Sequence, residues 1–185
     1  MSGPFSPGDR VTVAERAYSV LRLLGYGKGG YSYLVTDGRA EYVLKQIHHE
    51  PCDYYTIGDK LAAELHDYDR LLTAGIPVPE LLYVDRTAER LVKEYIEGPT
   101  VFELVRGGAD VSPFMEQVRA MAAQAQSAGL NIDYFPTNFV VQNGRLWYID
   151  YECNDYMDRW SFDNWGVRYW SRTPEFERYL QEKEP

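Results

Sequence analysis

The chain has 185 residues, 45% of them hydrophobic, and a formal net charge of −9. That length supports one domain with a sizeable core, and the composition excludes a disordered polymer. The acidic balance argues against a broad polyanion-binding surface, so nucleic acid is not expected as a partner.

No run is long and apolar enough to span a bilayer, so no membrane is expected either. Met1 to Arg10 lack the apolar stretch of a secretory leader. Cys52 and Cys153 lie far apart without C-x-x-C spacing and suit a reducing compartment. A cytoplasmic chain is expected.

In chain order, residues 11–24 alternate loosely, with Val11, Val13, Val20, Leu21, Leu23 and Leu24 apolar, as a strand would. Gly25-Tyr26-Gly27-Lys28-Gly29-Gly30 follows, a G-x-G-x-x-G run whose backbone N–H groups could approach phosphates. A dinucleotide-binding loop would lead into a helix. Here a β-rich run, Tyr31 to Val35, and a turn at Thr36-Asp37-Gly38-Arg39 follow instead. The next strand, Glu41 to Ile47, puts Lys45 on one face with Val43 and Ile47. A lysine on an apolar face needs a partner or a ligand; a surface lysine on an edge strand is the plainer alternative.

Residues 56–74 carry a helical period, with Ile57, Leu61, Leu65, Tyr68, Leu71 and Leu72 apolar, ending at Gly75 before Pro77 and Pro79. Glu64 sits at the margin of that stripe, and Asp67 and Asp69 are competing acids. Leu81 to Val84 and Arg90 to Ile96 are predicted strands, followed by Glu97-Gly98-Pro99. Thr100 to Val105 is a short predicted helix. A longer one runs from an N-cap at Ser112, with Pro113 at the first turn, to about Ser127 before Gly129. Ser161 to Trp170 and Thr173 to Gln181 are also expected to be helical.

Asn131 to Asp150 holds the densest chemistry. Phe139-Val140-Val141 and Leu146 to Ile149 flank Asn143-Gly144, a hairpin signature. Such a hairpin returns the loop holding Asp133 and Asn138 to the side of Asp150. A carboxylate and an amide oxygen suit a Mg²⁺ whose shell phosphates complete, and a further carboxylate can accept a hydroxyl proton. The same residues also suit a hairpin with solvated polar ends.

The spacing of Asp133, Asn138 and Asp150 resembles the catalytic loop and metal-binding aspartate of protein kinases, H-R-D-x-x-x-x-N followed by D-F-G. Asn131-Ile132 stand in place of His-Arg, Tyr151-Glu152 in place of Phe-Gly, and Phe135 where lysine is common. The I-D-Y-E ending is closer to small atypical and aminoglycoside-phosphotransferase-like kinases, and the run from Glu64 to Pro79 resembles Bud32- and Rio-like kinases. The resemblance covers residues 20–167.

The resemblance implies an α+β, two-lobed protein kinase-like fold with a reduced C-terminal helical lobe: a β-rich part over about 1–96 and a helical part over about 97–185. It implies an ATP- and Mg²⁺-dependent phosphotransferase acting on a hydroxyl of a protein serine or threonine, or of a small molecule. Asp133 would accept the proton, and Asn138 and Asp150 would hold Mg²⁺. Lys45, fixed by Glu64, would hold the nucleotide phosphates beneath Gly25, Gly27 and Gly30. The Glu94 carbonyl and Ile96 N–H would read the base, with Lys93 beside it. Asp163 would cap the catalytic-loop backbone. Only residues 151–162 would separate that segment from the metal ligand, too few for a long activation loop and a peptide platform. A pseudokinase or nucleotide-binding regulatory module is the alternative.

Overall fold

A computed structural model of the chain describes residues 4–49 and 59–183. Cys52 and Ile57 lie outside the described residues. The architecture is α+β. It divides into two compact units, Met1–Leu65 with Pro79–Tyr95, and His66–Val78 with Ile96–Pro185. Among the described residues no helix is long and apolar enough to cross a membrane.

The first unit is built on a six-stranded antiparallel sheet. Its strands are β1 (Arg10–Val13), β2 (Arg16–Tyr26), β3 (Gly30–Thr36), β4 (Glu41–Ile47), β5 (Leu81–Asp85) and β6 (Arg90–Glu94), in the order β1-β2-β3-β4-β6-β5. Alternation sorts the side chains to two faces. Val13, Tyr18, Val20, Tyr33, Val35, Leu44 and Val92 form one core cluster. Ile47 and Leu91 face the other way and meet Leu61 of α1 (Lys60–Thr73). The sheet curls, so that β1 approaches β5 and β6.

Residues 11–24 are therefore not one strand but a hairpin. Ala14 and Glu15 turn the chain at φ of 46° and 67°, a left-handed pair that leaves no Asn or Gly mark in the sequence. The turn between β3 and β4 is as the sequence predicts. Asp37 Oδ1 accepts the N–H groups of Arg39 and Ala40 at 2.9 and 3.0 Å, which holds its carboxyl below the usual range. β6 stops at Glu94, two residues before the predicted strand end at Ile96.

The second unit contains α2 (Val101–Arg106), α3 (Ser112–Ser127), β7 (Leu130–Ile132), β8 (Phe139–Gln142), β9 (Arg145–Tyr148), β10 (Cys153–Asp155) and α4 (Pro174–Lys183). A capping box between Thr100 and Glu103 starts α2. Ser112 is already helical, and Asp110 accepts its N–H at 2.9 Å, the task the sequence assigned to Ser112 itself. β8 and β9 pair as predicted across Asn143 and Gly144, at φ of 51° and 77°. The β7–β10 pair, with Ile132 opposite Cys153, is a ribbon too short for periodicity to reveal.

The segment 161–170 forms no α-helix. It holds a short 3-10 turn at Gly166–Tyr169, and another, Asp158–Trp160, precedes it. Gly166 packs so closely that an added Cβ would lie 2.5 Å from Tyr134 Cβ. Phe162 and Trp170 are buried in the same region, so tertiary packing overrides the helical period.

Candidate functional site

In the first unit, Lys45 occupies β4, inside the sheet between β3 and β6. Its Nζ lies 2.8 Å from Glu64 Oε1 and 2.8 Å from Oε2. Their side chains are only 13% and 8% exposed. Glu64 is thus the partner of Lys45. Asp67 is engaged in the second unit, where it accepts Arg70 Nη1 at 3.3 Å and the Cys153 N–H at 3.3 Å. Asp69 is exposed.

The glycine run closes as a tight turn. Gly27 N–H donates to Gly30 O at 3.0 Å, and Gly30 N–H to Gly27 O at 3.3 Å. Lys60 Nζ donates to the carbonyls of Lys28 and His48 at 3.1 and 2.9 Å, which fixes the base of the turn. Gly29 comes close to Lys45: a Cβ added there would lie 3.1 Å from Nζ. Gly30 is glycine for a packing reason, because a Cβ would fall 2.3 Å from Gln46 O. Gly25 and Gly27 have open space around them. Sequence spacing alone does not distinguish these roles.

Glu94 ends β6, with its N–H on Glu80 O at 2.9 Å and its Oε2 accepting the Glu80 N–H at 3.2 Å. Lys93, one residue before it, is 6% exposed. It lies opposite Val43 and Leu81, on the same face of the sheet as Lys45. Ile96 is 4% exposed and belongs to the second unit.

In the second unit the structure brings Asp133, Asn138 and Asp150 to one end of the β8–β9 hairpin. Ile149 N–H donates to Asn138 O at 2.9 Å, placing Asn138 beside the residue before Asp150. Asn138 Nδ2 donates to Asp133 O at 3.3 Å, which aims its Oδ1 away from that bond. Asp150 Oδ1 accepts the Tyr151 N–H at 2.8 Å. Asp133 Oδ1 accepts the Phe135 N–H at 3.0 Å, and Asp133 itself is exposed while Tyr134 and Pro136 beside it are buried.

A divalent cation held here would meet a small donor set. Asn138 Oδ1 and Asp150 Oδ2 offer one amide and one carboxylate oxygen. Among the described residues no group of three or more His, Cys, Asp or Glu side chains forms a metal cage. A cation here would take the rest of its shell from water and phosphate, as Mg²⁺ does.

Several residues that shape this loop escape the sequence motifs. Asn131, 5% exposed, donates Nδ2 to Trp160 O at 3.2 Å and accepts the Met157 N–H. Trp170 Nε1–H donates to Tyr134 O at 2.8 Å in a buried bond. Tyr148, fully buried, joins the Asp133 and Glu152 backbones through its hydroxyl. Strand alternation puts Tyr148 inward with Leu146, which is the one trace it leaves in the sequence.

One expectation changes. Asp163 does not cap the backbone of the Asp133–Asn138 loop: it is exposed and pairs with Arg119 Nε at 3.4 Å. Trp170 and Gly166 hold the loop in its place. Phe135, where lysine was looked for, is built into an aromatic cluster with Phe102, Tyr169 and Tyr179, at centroid distances of 6.2, 5.1 and 4.7 Å.

No protein-family model matches the chain, and no curated protein matches it.

Proposed function

We propose that the chain is a Mg²⁺- and ATP-dependent phosphotransferase of the protein kinase-like superfamily, with a two-lobed fold and a reduced helical lobe, acting in the cytoplasm. The observation that carries this reading is the Lys45–Glu64 pair with Gly29 against the ammonium. Burying an ion pair costs desolvation that its own attraction often fails to recover. A lysine held this way beneath a glycine turn is arranged for a further anion, and nucleotide phosphates are anions of that kind.

Asp133, Asn138 and Asp150 are the residues of the second unit suited to metal binding and proton transfer. Mg²⁺ would neutralise charge on the phosphates and orient them. Asn138 Oδ1 and Asp150 Oδ2 are the residues to hold it. Asp133 orients the acceptor hydroxyl and takes its proton. Glu94 and Ile96 offer backbone groups to the base. The acceptor is a hydroxyl of a protein or of a small molecule.

One observation favours a second reading, a nucleotide-binding module without transfer. Phe135 sits in an aromatic cluster where a cation would help the transferring phosphate. Melting temperature with and without Mg-ATP, and transfer of the labelled γ-phosphate to the protein or to cell extract, test both. A Mg-ATP shift with transfer abolished by Asp133→Asn supports the enzyme. A shift without transfer leaves the binding module. No shift refutes both.

A further inference from the structure

We infer that the Tyr148 hydroxyl is a positioning residue that sets Asp133 against the Asp150 loop; this rests on the phosphotransferase reading of those two residues. Tyr148 lies on β9 with its ring fully buried, 5.3 Å from the ring of Phe139 on the paired strand. Its hydroxyl accepts the Asp133 N–H at 3.2 Å and donates to Glu152 O at 2.7 Å. One buried oxygen thus joins the backbone that carries the base to the backbone just past the metal ligand.

The rest of each loop makes this tie effective. The Asp133 carboxylate is already bound to its own loop through the Phe135 N–H. The Asp150 carboxylate is bound to the Tyr151 N–H. With both side chains held to their own backbones, the offset between the two loops rests on the ties across it, among them the Ile149 N–H on Asn138 O and the Ile132–Cys153 pairing. The Tyr148 hydroxyl spans that offset.

Packing does not explain the hydroxyl. A phenylalanine would fill the same space against Phe139, and a buried hydroxyl gains nothing unless it is hydrogen-bonded. No buried side-chain nitrogen or oxygen among the described residues lacks a partner, this one included.

The test combines amide hydrogen exchange with Mg-ATP turnover, in the full chain and in Tyr148→Phe. In the wild type the Asp133 amide should be protected although Asp133 itself is exposed; a freely exchanging amide overturns the proposal without any variant. In Tyr148→Phe, exchange should quicken in both Asp133–Phe135 and Tyr151–Cys153. The Mg-ATP melting shift and KM should stay within about threefold while kcat falls about 100-fold, the effect of a small misplacement of a reacting group. A variant that is merely loosened would lose stability with kcat intact, and that result overturns the positioning role. A wild type with neither a Mg-ATP shift nor turnover refutes the phosphotransferase instead, a result the kcat comparison cannot be mistaken for.

Discussion

Lys45 and Glu64 meet with both carboxylate oxygens 2.8 Å from the ammonium, inside the sheet unit. Removing one partner leaves the other charge buried without its counter-charge, which typically costs about 3–5 kcal/mol. Lys45→Met and Glu64→Gln should each destabilise the fold on that scale. The double variant should cost much less than the sum. Urea denaturation of the four proteins measures this without nucleotide. Additive losses would mean that the pair is not coupled.

The glycines should separate into two kinds. Gly30→Ala drives a Cβ to 2.3 Å from Gln46 O, so it should destabilise by about 1–3 kcal/mol through backbone shifts. Gly27→Ala meets open space and should leave the melting temperature nearly unchanged. If the turn cradles phosphate, Gly27→Ala should still weaken the ATP-dependent melting shift. Equal destabilisation by both substitutions would contradict the packing described.

Asp150 and Asp133 should fail differently. Asp150→Asn removes the carboxylate proposed to hold Mg²⁺ with Asn138, so the Mg²⁺-dependent part of the ATP melting shift should vanish. Asp133→Asn should lower kcat by orders of magnitude with ATP affinity held within about threefold, as for a group that acts in the chemical step. Retained Mg²⁺ dependence in a folded Asp150→Asn would sink the metal assignment.

Cys153 supplies a pH test. Burial first, then the Asp67 carboxylate, pushes its thiol up to about 12 from an ordinary 9.0. The thiol therefore ionises more easily in the unfolded chain. Its contribution is complete below about pH 9 and is lost as pH rises from there towards about 12. The stability gap between wild type and Cys153→Ala should narrow over that window. In a Cys52→Ser background, iodoacetamide at pH 8 should label Cys153 only as fast as the chain opens.

The central strands and the β8–β9 hairpin were legible because their signals are local. The aromatic and aliphatic runs of β3 and β4, which bury side chains on both faces, and the Asn143-Gly144 turn each speak for themselves. The choice of Glu64 over Asp67 was not, because helical period puts both near the buried face. Their separation depends on Arg70 and on the Cys153 N–H, which come from distant sequence. Ala14-Glu15 escaped because neither residue announces a left-handed turn. The segment 161–170 looked helical because its aromatic spacing matches a helix, yet the rings are placed by contacts such as Trp170 on Tyr134. The Tyr148 hydroxyl was invisible for the same reason: its two partners are backbone groups.

The curl of the six-stranded sheet bears on how copies of the chain behave towards one another. A flat sheet of this order would present β1 and β5 as two open rows of amide groups, each able to recruit a strand from a neighbouring molecule. Here Arg90 Nη1 donates to Thr12 O at 3.1 Å, filling part of the β1 row from within. The Arg16 guanidinium lies 4.3 Å over the Tyr83 ring, placing a charge beside β5. Cationic, self-covered margins of this kind disfavour strand-by-strand templating.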